Sequence, residues 1–429
     1  MNFTKSIFLL FLLTLNFTLA FAQWNFDESQ VKPYILPDAF TLANGKKNTT
    51  ENEWWKLRRP EIFSFFENEV YGKTPTKRLG VSYKISSIDK NALEGRATRK
   101  EIRVTFRNGK KSLAMDILMY IPNAAIKAVP LFLGMNFDGN QCVIKDTTIS
   151  ITDSWVDNDK RFGITDNRAN EKTRGSQKRR WPIEKIIERG YAVATIYYGD
   201  LDPDFDDGFQ NGIQPLFYKN GQTKPAPNEW GAIGAWAWGL SRALDYFETD
   251  KQIDAKKVLV HGHSRLGKAA LWAGAQDERF AMVISNNSGC MGAALSKRNF
   301  GEDIKTINKA FPHWFCANFK KYNDNEASIP FDQHELIALI APRPVYVTSA
   351  QDDLWADPKG EFLSTFFAGE VYELLREKGL PVTEQPPIHQ PVMGTIGYHI
   401  RAGKHDVTDY DWEQYMNFAD TCFYKKIKF

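Results

Sequence analysis

Cysteine is scarce in this chain and scattered. Cys142, Cys290, Cys316 and Cys422 stand far apart with no C-x-x-C spacing, which argues against a structural zinc site. In an oxidising compartment one pair could be bridged, and the spacing leaves open which. Net charge is nearly absent as well. Lys plus Arg number 55 against 52 Asp plus Glu, a formal charge of +3 over 429 residues, so no global field draws in nucleic acid or an acidic membrane surface. One local basic run, Arg174-Gly175-Ser176-Gln177-Lys178-Arg179-Arg180, reads as a solvated loop, or, beside a cleft, as an attractor for an anionic polymer. No Pro/Gly/Ser-rich linker, internal repeat or low-complexity stretch divides the sequence. Residues 23–429 therefore read as one catalytic domain with an N-terminal extension and loop insertions. A monomer is expected, although nothing in the residue pattern dictates the oligomeric state.

What is present begins with an export signal. Residues 1–22 carry a single lysine, the apolar block Ile7-Phe8-Leu9-Leu10-Phe11-Leu12-Leu13-Thr14-Leu15 and the small-residue pattern Ala20-Phe21-Ala22. This reads as a cleaved signal peptide rather than an anchor, because Asn16 and Thr18 cut the apolar run short of a span. No cysteine follows the cleavage site to take a lipid. The mature chain is expected to be secreted or periplasmic, without a membrane anchor.

The chemistry is carried by Gly262-His263-Ser264-Arg265-Leu266-Gly267. It follows the strand-like run Lys257-Val258-Leu259-Val260 and precedes the helix-like Lys268-Ala269-Ala270-Leu271-Trp272-Ala273-Gly274-Ala275. A strand-to-helix turn of this kind lifts a hydroxyl clear of a sheet and aims the next backbone N–H and the positive helix end at an oxyanion. The match to G-x-S-x-G is imperfect, since Leu266 stands where the second glycine belongs and Gly267 comes one place later. An ordinary connection with an N-capping serine is the plainer alternative.

Around this turn the pattern alternates strand and helix. Residues 23–99 are Trp/Tyr/Pro-rich and irregular apart from a helix through Glu61-Ile62-Phe63-Ser64-Phe65-Phe66-Glu67 after Pro60. Glu101–Phe106 and Leu113–Ile121, joined through Arg107-Asn108-Gly109, predict an antiparallel hairpin at the sheet edge. Apolar runs at 129–135, 191–198, 258–260, 282–285 and 345–348 are of the kind buried in a parallel sheet, with helices at 183–189 and 231–247 between them. The expected class is α/β, a three-layer sandwich around a mostly parallel sheet with an antiparallel start, as in the α/β-hydrolases.

A serine hydroxyl is inert at neutral pH without a histidine to take its proton and a carboxylate to orient that histidine. In the order Ser…Asp/Glu…His, the candidates after Ser264 are His313, His334, His389, His399 and His405. His405 is favoured, because Arg401-Ala402-Gly403-Lys404-His405-Asp406 is a polar glycine-containing loop, whereas Tyr398 and Ile400 mark His399 as packed. For the acid, Asp352, Asp353 and Asp357 compete in the loop after the strand at 344–349. Asp357-Pro358 also reads as a helix start. His261-x-His263 lacks a third ligand at suitable spacing, so no metal and no cofactor are expected.

With these residues in hand, Gly262-x-Ser264-Arg265-x-Gly267-Lys268-Ala269-Ala270, Ser288-Gly289-Cys290-Met291-Gly292-Ala293-Ala294-Leu295 and Trp355-Ala356-Asp357-Pro358 resemble the glucuronoyl esterases, carbohydrate esterase family 15, in their bacterial form. The resemblance covers most of residues 190–411. It implies that Arg265 adds its guanidinium to the oxyanion hole and that Lys268, Glu302 and Trp355 surround the uronate. It further implies a carboxylic ester hydrolase of the 4-O-methyl-glucuronoyl methylesterase type, acting on glucuronoxylan or lignin–carbohydrate esters. One departure stands out. Fungal members place the acid in Glu-Ser-Gly, where this chain has Asn287-Ser288-Gly289. The acid is then expected from the later loop, with Asp353 preferred over Asp352. A buried Arg265 without a counter-charge would be costly in a non-catalytic role. An acetyl or aryl carbohydrate esterase, a serine peptidase of the same fold, and a degenerate carbohydrate-binding hydrolase are the alternatives.

Overall fold

A computed structural model describes residues 24–424, so the export signal expected over residues 1–22 lies outside the described residues. Ten strands form one sheet: β1 (Gly80–Ala92), β2 (Ala97–Asn108), β3 (Lys111–Pro122), β4 (Val129–Asn136), β5 (Ala192–Tyr197), β6 (Ile253–His263), β7 (Met282–Asn286), β8 (Val345–Ala350), β9 (Val392–Met393) and β10 (Ile396–Arg401). Their spatial order is β1-β2-β3-β5-β4-β6-β7-β8-β10-β9. The first three strands and the β3/β5 pair are antiparallel. From β5 to β10 every neighbour is parallel.

Alternation along the central strands explains the three layers. Leu131, Leu133, Val258, Val260, Val283, Val345 and Val347 enter the core on one face, with the helices Ala232–Phe247 and Arg265–Gln276. Phe132, Leu259, Met282, Ile284 and Tyr346 enter the other core, against Ile183, Ile186 and Ile187 and against Trp412, Tyr415 and Phe418 of the final helix. Both faces are thus covered, as buried parallel strands require. At about 25 cal/mol per Å² of apolar surface removed from water, these two cores are the main favourable term for the fold.

Two expectations are corrected. The hairpin of β2 and β3 is not the sheet edge, because β1 pairs outside it from Gly80↔Arg107 onward. The region before residue 99 therefore holds a 13-residue strand as well as the helix Arg59–Glu69. Nor is any cysteine pair bridged: all four are free, and Cys142, Cys290 and Cys316 are buried. Among the described residues no helix is long and apolar enough to cross a membrane.

Candidate active site

The carboxyl ends of β6, β7, β8 and β10 converge on one cavity of about 340 Å³, lined by Ser264, Arg265, Lys268, Asn287, Glu302, Phe311, Trp314, Asp353, Trp355 and His405 among others. All seven residues singled out in the sequence lie there. Larger hollows elsewhere on the surface hold none of them.

Ser264 closes β6 in a tight turn, with φ 59° and ψ −129°. A non-glycine residue there is strained by roughly 1–3 kcal/mol, and the surroundings must hold it. They do so through backbone contacts. Ser264 N–H donates to Asn286 O at 2.9 Å, and Gly267 N–H donates to Ser264 O at 2.9 Å. The displaced glycine has a packing reason. A Cβ on Gly262 would meet Leu266 O at 1.9 Å, and one on Gly267 would meet the Ser288 Cβ at 2.9 Å. Leu266 fills the core beneath the turn. The helix Arg265–Gln276 starts immediately after the serine, so its unpaired N–H groups and positive end face the cavity.

His405 stands on the loop between β10 and the final helix, its side chain 40 % exposed, while Asp353 is 5 % exposed. His405 Nδ1 lies 2.6 Å from Asp353 Oδ2. The loop is anchored on both sides of the histidine: Arg401 donates through Nε to Asp411 Oδ2 at 2.8 Å, and Asp406 accepts from Arg180 Nε at 2.8 Å and pairs with Arg179. The basic run is therefore not simply solvated. Arg179 and Arg180 grip the histidine loop, and Arg174 Nη1 bonds the carbonyls of Asp146 and Ile149.

The other two aspartates do different work. Asp352 is exposed. Asp357 adopts φ 51°, caps the helix Pro358–Leu374 by accepting from Gly360 N–H at 2.9 Å, and pairs with Arg298 at 2.8 Å. Asn287 sits where fungal relatives were expected to have their acid, and its Nδ2 donates to Asp353 Oδ2 at 2.8 Å. One carboxylate oxygen thus holds both Asn287 and His405.

None of the other histidines lines the cavity. The His261 ring packs edge-on against Trp181 and Trp412, with centroids at 5.1 and 4.7 Å, and burial pushes its pKa down to about 3. His263 lies beneath His405, 4.4 Å between ring centroids, with Nδ1 2.6 Å from Asn286 Oδ1. His399 is buried against Asp411 and Tyr346. His334 Nε2 lies 3.0 Å from Pro37 O, and His389 Nε2 accepts from Ala402 N–H. Among the described residues no cluster of three His, Cys, Asp or Glu side chains is arranged to hold a metal.

Arg265 does have a counter-charge, contrary to expectation. Its Nη1 pairs with buried Asp204, which also accepts from Trp314 Nε1 at 2.6 Å and lies 2.9 Å from His313 Nε2. Burial alone would raise the Asp204 carboxyl. The His313 contact, Arg265 and Trp314 overcome it and hold the pKa down at about 2. The guanidinium lies 4.8 Å from the Trp314 ring centroid and 5.3 Å from that of Phe311, so its position is fixed before any ligand arrives. The cost of an unpaired buried cation therefore cannot serve as the argument for its role.

Lys268 is buried one turn into the same helix, its Nζ donating to Ser288 O at 2.6 Å. Burial lowers its pKa, and the Glu302 carboxylate opposes that. Burial in turn raises the Glu302 pKa against the pull of Lys268 and a hydrogen bond involving Trp355. Backbone contact also joins these parts, since Glu302 N–H donates to Trp355 O at 3.0 Å.

Behind the acid loop, wholly buried Glu361 accepts from Gly289 N–H at 3.0 Å and Ser349 Oγ at 2.7 Å. Burial pushes its pKa up to about 8 from an ordinary 4.5. A carboxyl raised in the folded state keeps a proton that the unfolded chain loses, so its contribution to stability falls as pH rises between those two values. In Glu361→Gln, the thermal midpoint should decline less steeply than in wild type between about pH 5 and pH 8. A denaturation series across that range checks it, and equal slopes would sink the assignment.

A mostly parallel sheet carrying a serine on a strained strand-to-helix turn, opposite a carboxylate-held histidine, defines an α/β-hydrolase. The family model described as glucuronyl esterase, fungi, matches residues 187–376. The chain is 52 % identical over 397 residues to Carbohydrate esterase MZ0003 of an unknown prokaryotic organism, covering 92 % of this chain and 91 % of that one. A promiscuous CE15 esterase from a marine bacterial metagenome superposes with TM-score 0.87 at 52 % identity, over 93 % of this chain and 99 % of the other. The glucuronoyl esterase from Solibacter usitatus gives TM-score 0.87 at 48 % identity, over 92 % and 100 %. This chain belongs to carbohydrate esterase family 15, the glucuronoyl esterases, and is a carboxylic ester hydrolase.

Sequence reasoning missed Asp204, Trp314 and Asn287 as parts of the cavity's fabric. Asp204 lies in Asp200-Leu201-Asp202-Pro203-Asp204-Phe205-Asp206-Asp207. The available signal was an acidic run just past the carboxyl end of a core strand, the side on which the elbow also opens.

Proposed function

We propose that this chain is an exported serine esterase that cleaves esters of glucuronic acid, including its 4-O-methyl form, in glucuronoxylan or lignin–carbohydrate polymers. The observation that carries this reading is the sharing of one cavity. Ser264 and the His405–Asp353 pair line the same walls as Lys268, Glu302 and Trp355, so bond-breaking groups and sugar-holding groups meet at one carbonyl.

Ser264 Oγ attacks the C6 ester carbonyl while His405 takes its proton through Nε2, the nitrogen not facing Asp353. Asp353 fixes that tautomer and stabilises the imidazolium; Asn287 keeps the carboxylate in place. The oxyanion gathers the first N–H groups of the elbow helix and the Arg265 guanidinium. One such donor is worth roughly 3–4 kcal/mol in the transition state. Asp204 and the stacked rings hold the arginine in position, so little reorganisation accompanies the reaction. His405 then protonates the leaving alcohol, and water releases the uronate by the same steps in reverse order.

Charge and hydrogen bonding at the far end give the specificity. Buried Lys268 and part-buried Glu302 bring opposite charges to one wall of the cavity, as donor and acceptor for ring hydroxyls, and the Trp355 face packs on the pyranose. A site of this kind strongly rejects analogues lacking the matching groups, because its buried polar atoms are then left unpaired.

The marine metagenome esterase that shares 52 % of its residues with this chain is described as promiscuous, which favours a second reading of broad ester specificity. One assay separates the two. Lys268→Ala and Glu302→Ala should lower kcat/KM on methyl glucuronate by about 10–100-fold while hydrolysis of p-nitrophenyl acetate changes little. Arg265→Ala should damage both substrates, since both pass through the same oxyanion. Equal losses on both substrates in all three variants, or a wild type that prefers the acetate, would establish the broad-specificity reading instead.

A further inference from the structure

Exposed large apolar side chains are expected to be scattered singly over a soluble surface, and a contiguous group beside a cleft marks a ligand surface. Beside this cavity four such residues are grouped: Trp24 at 46 %, Phe26 at 43 %, Leu354 at 42 % and Trp355 at 36 % exposure. Trp24 and Trp355 meet edge to face with centroids 5.0 Å apart, and Phe26 lies 6.3 Å from Trp355. The N-terminal segment thus extends an aromatic surface outward from a residue that already lines the site.

The surface is rigidly built. Trp24 Nε1 donates to Thr306 Oγ1 at 3.0 Å, which fixes the indole. Gly301 N–H donates to Asn25 O at 2.8 Å and Glu28 pairs with Arg298, so the segment is fastened to the loop that carries Glu302. That loop in turn crosses tightly over the Trp355 turn: Gly301 has φ 69°, and a Cβ there would meet the carbonyl oxygens of Leu354 and Trp355 at 2.5 Å. An aromatic face ordered in advance loses little conformational freedom when a ligand lies on it.

We infer that Trp24 and Phe26, together with Trp355, form a subsite for the neutral sugar units to which the glucuronate is attached. This rests on the functional reading above and adds the direction in which the polymer lies. His405 must protonate the departing alcohol, so the alcohol leaves on the His405 side of the carbonyl. Lys268, Glu302 and Trp355 are the groups assigned to the acyl sugar, and Trp24 packs on Trp355. The ligand reaching Trp24 is therefore the chain carrying the uronate, not the alcohol. A β-linked pyranose chain presents apolar C–H faces framed by hydroxyls, which matches exposed rings set beside the polar groups of Thr306 and Asn25.

The test compares three methyl or benzyl esters: methyl glucuronate, benzyl glucuronate, and the methyl ester of glucuronate linked to xylotriose. Trp24→Ala should lower the ratio of kcat/KM on the xylotriose-linked ester to that on methyl glucuronate by about tenfold, through KM rather than kcat. Trp24→Phe should restore most of it, and Phe26→Ala, which leaves the Thr306 bond intact, should lower the ratio in the same direction. An unchanged ratio in both alanine variants overturns the inference, and so does a selective loss on benzyl glucuronate, which would place the alcohol on these rings. Failure of the wild type on all three esters would remove the functional reading itself, and this subsite with it.

Discussion

Ser264→Ala should abolish ester hydrolysis, with kcat falling by more than about 10⁴-fold while the fold and thermal midpoint stay close to wild type. The size follows from the chemistry. Without the hydroxyl the acyl-enzyme step is lost, and what remains is whatever the Arg265 side of the cavity can offer an attacking water. The mild effect on stability follows from the geometry, because Ser264 donates and accepts here through its backbone, and its side chain faces the cavity. Hydrolysis of methyl glucuronate together with a melting curve checks both halves. A variant that retained full activity would end the elbow mechanism.

The second large effect is expected at the acid. Asp353→Asn should cut turnover by about 10⁴-fold, since an amide in that place offers an N–H toward His405 or favours the wrong imidazole tautomer. Asp353 also accepts from Asn287 Nδ2, so the amide variant faces two groups that both need an acceptor. Asp352→Asn, at an exposed site, should be close to silent. Asp357→Asn should instead lower stability, because it replaces the carboxylate paired with buried Arg298 by a neutral amide. A pattern in which Asp352→Asn or Asp357→Asn, and not Asp353→Asn, destroyed turnover without loss of fold would overturn the assignment. A further comparison, Asn287→Ala, should cost far less than Asp353→Asn, because it removes a support for the carboxylate and not the carboxylate.

How much of this was legible in the sequence depended on whether a signal was local. The elbow could be read because its glycines answer to contacts within a few residues, Gly262 against Leu266 being the clearest. The central strands could be read because burial on both faces leaves unbroken apolar runs. β1 escaped for the opposite reason: Val81, Tyr83, Ile85 and Ile88 are largely exposed, and the strand follows an irregular Trp/Pro-rich stretch. Asp204 escaped because its neighbours in the acidic run look identical until the chain folds, when only Asp204 meets Arg265, His313 and Trp314. The choice between Asp352 and Asp353 is likewise a matter of one residue of rotation at the end of β8. The short helical turn Leu354–Ala356 follows directly, with Asp353 at the position before it and its carboxylate turned to His405 and Asn287 rather than to the turn.

The order in which the chain supplies its groups has a consequence for biosynthesis. The serine, its helix and the strand beneath it are synthesised by Gln276, the Asn286 carbonyl that holds the turn comes with β7, the acid comes after β8, and the histidine arrives only after β10, which lies between β8 and β9. Arg179 and Arg180, synthesised long before, lack their carboxylate partner until Asp406 reaches them. A polypeptide that has reached β7 therefore carries the serine and the backbone partner of its turn but neither acid nor base, so competence toward esters waits for the last layer to close.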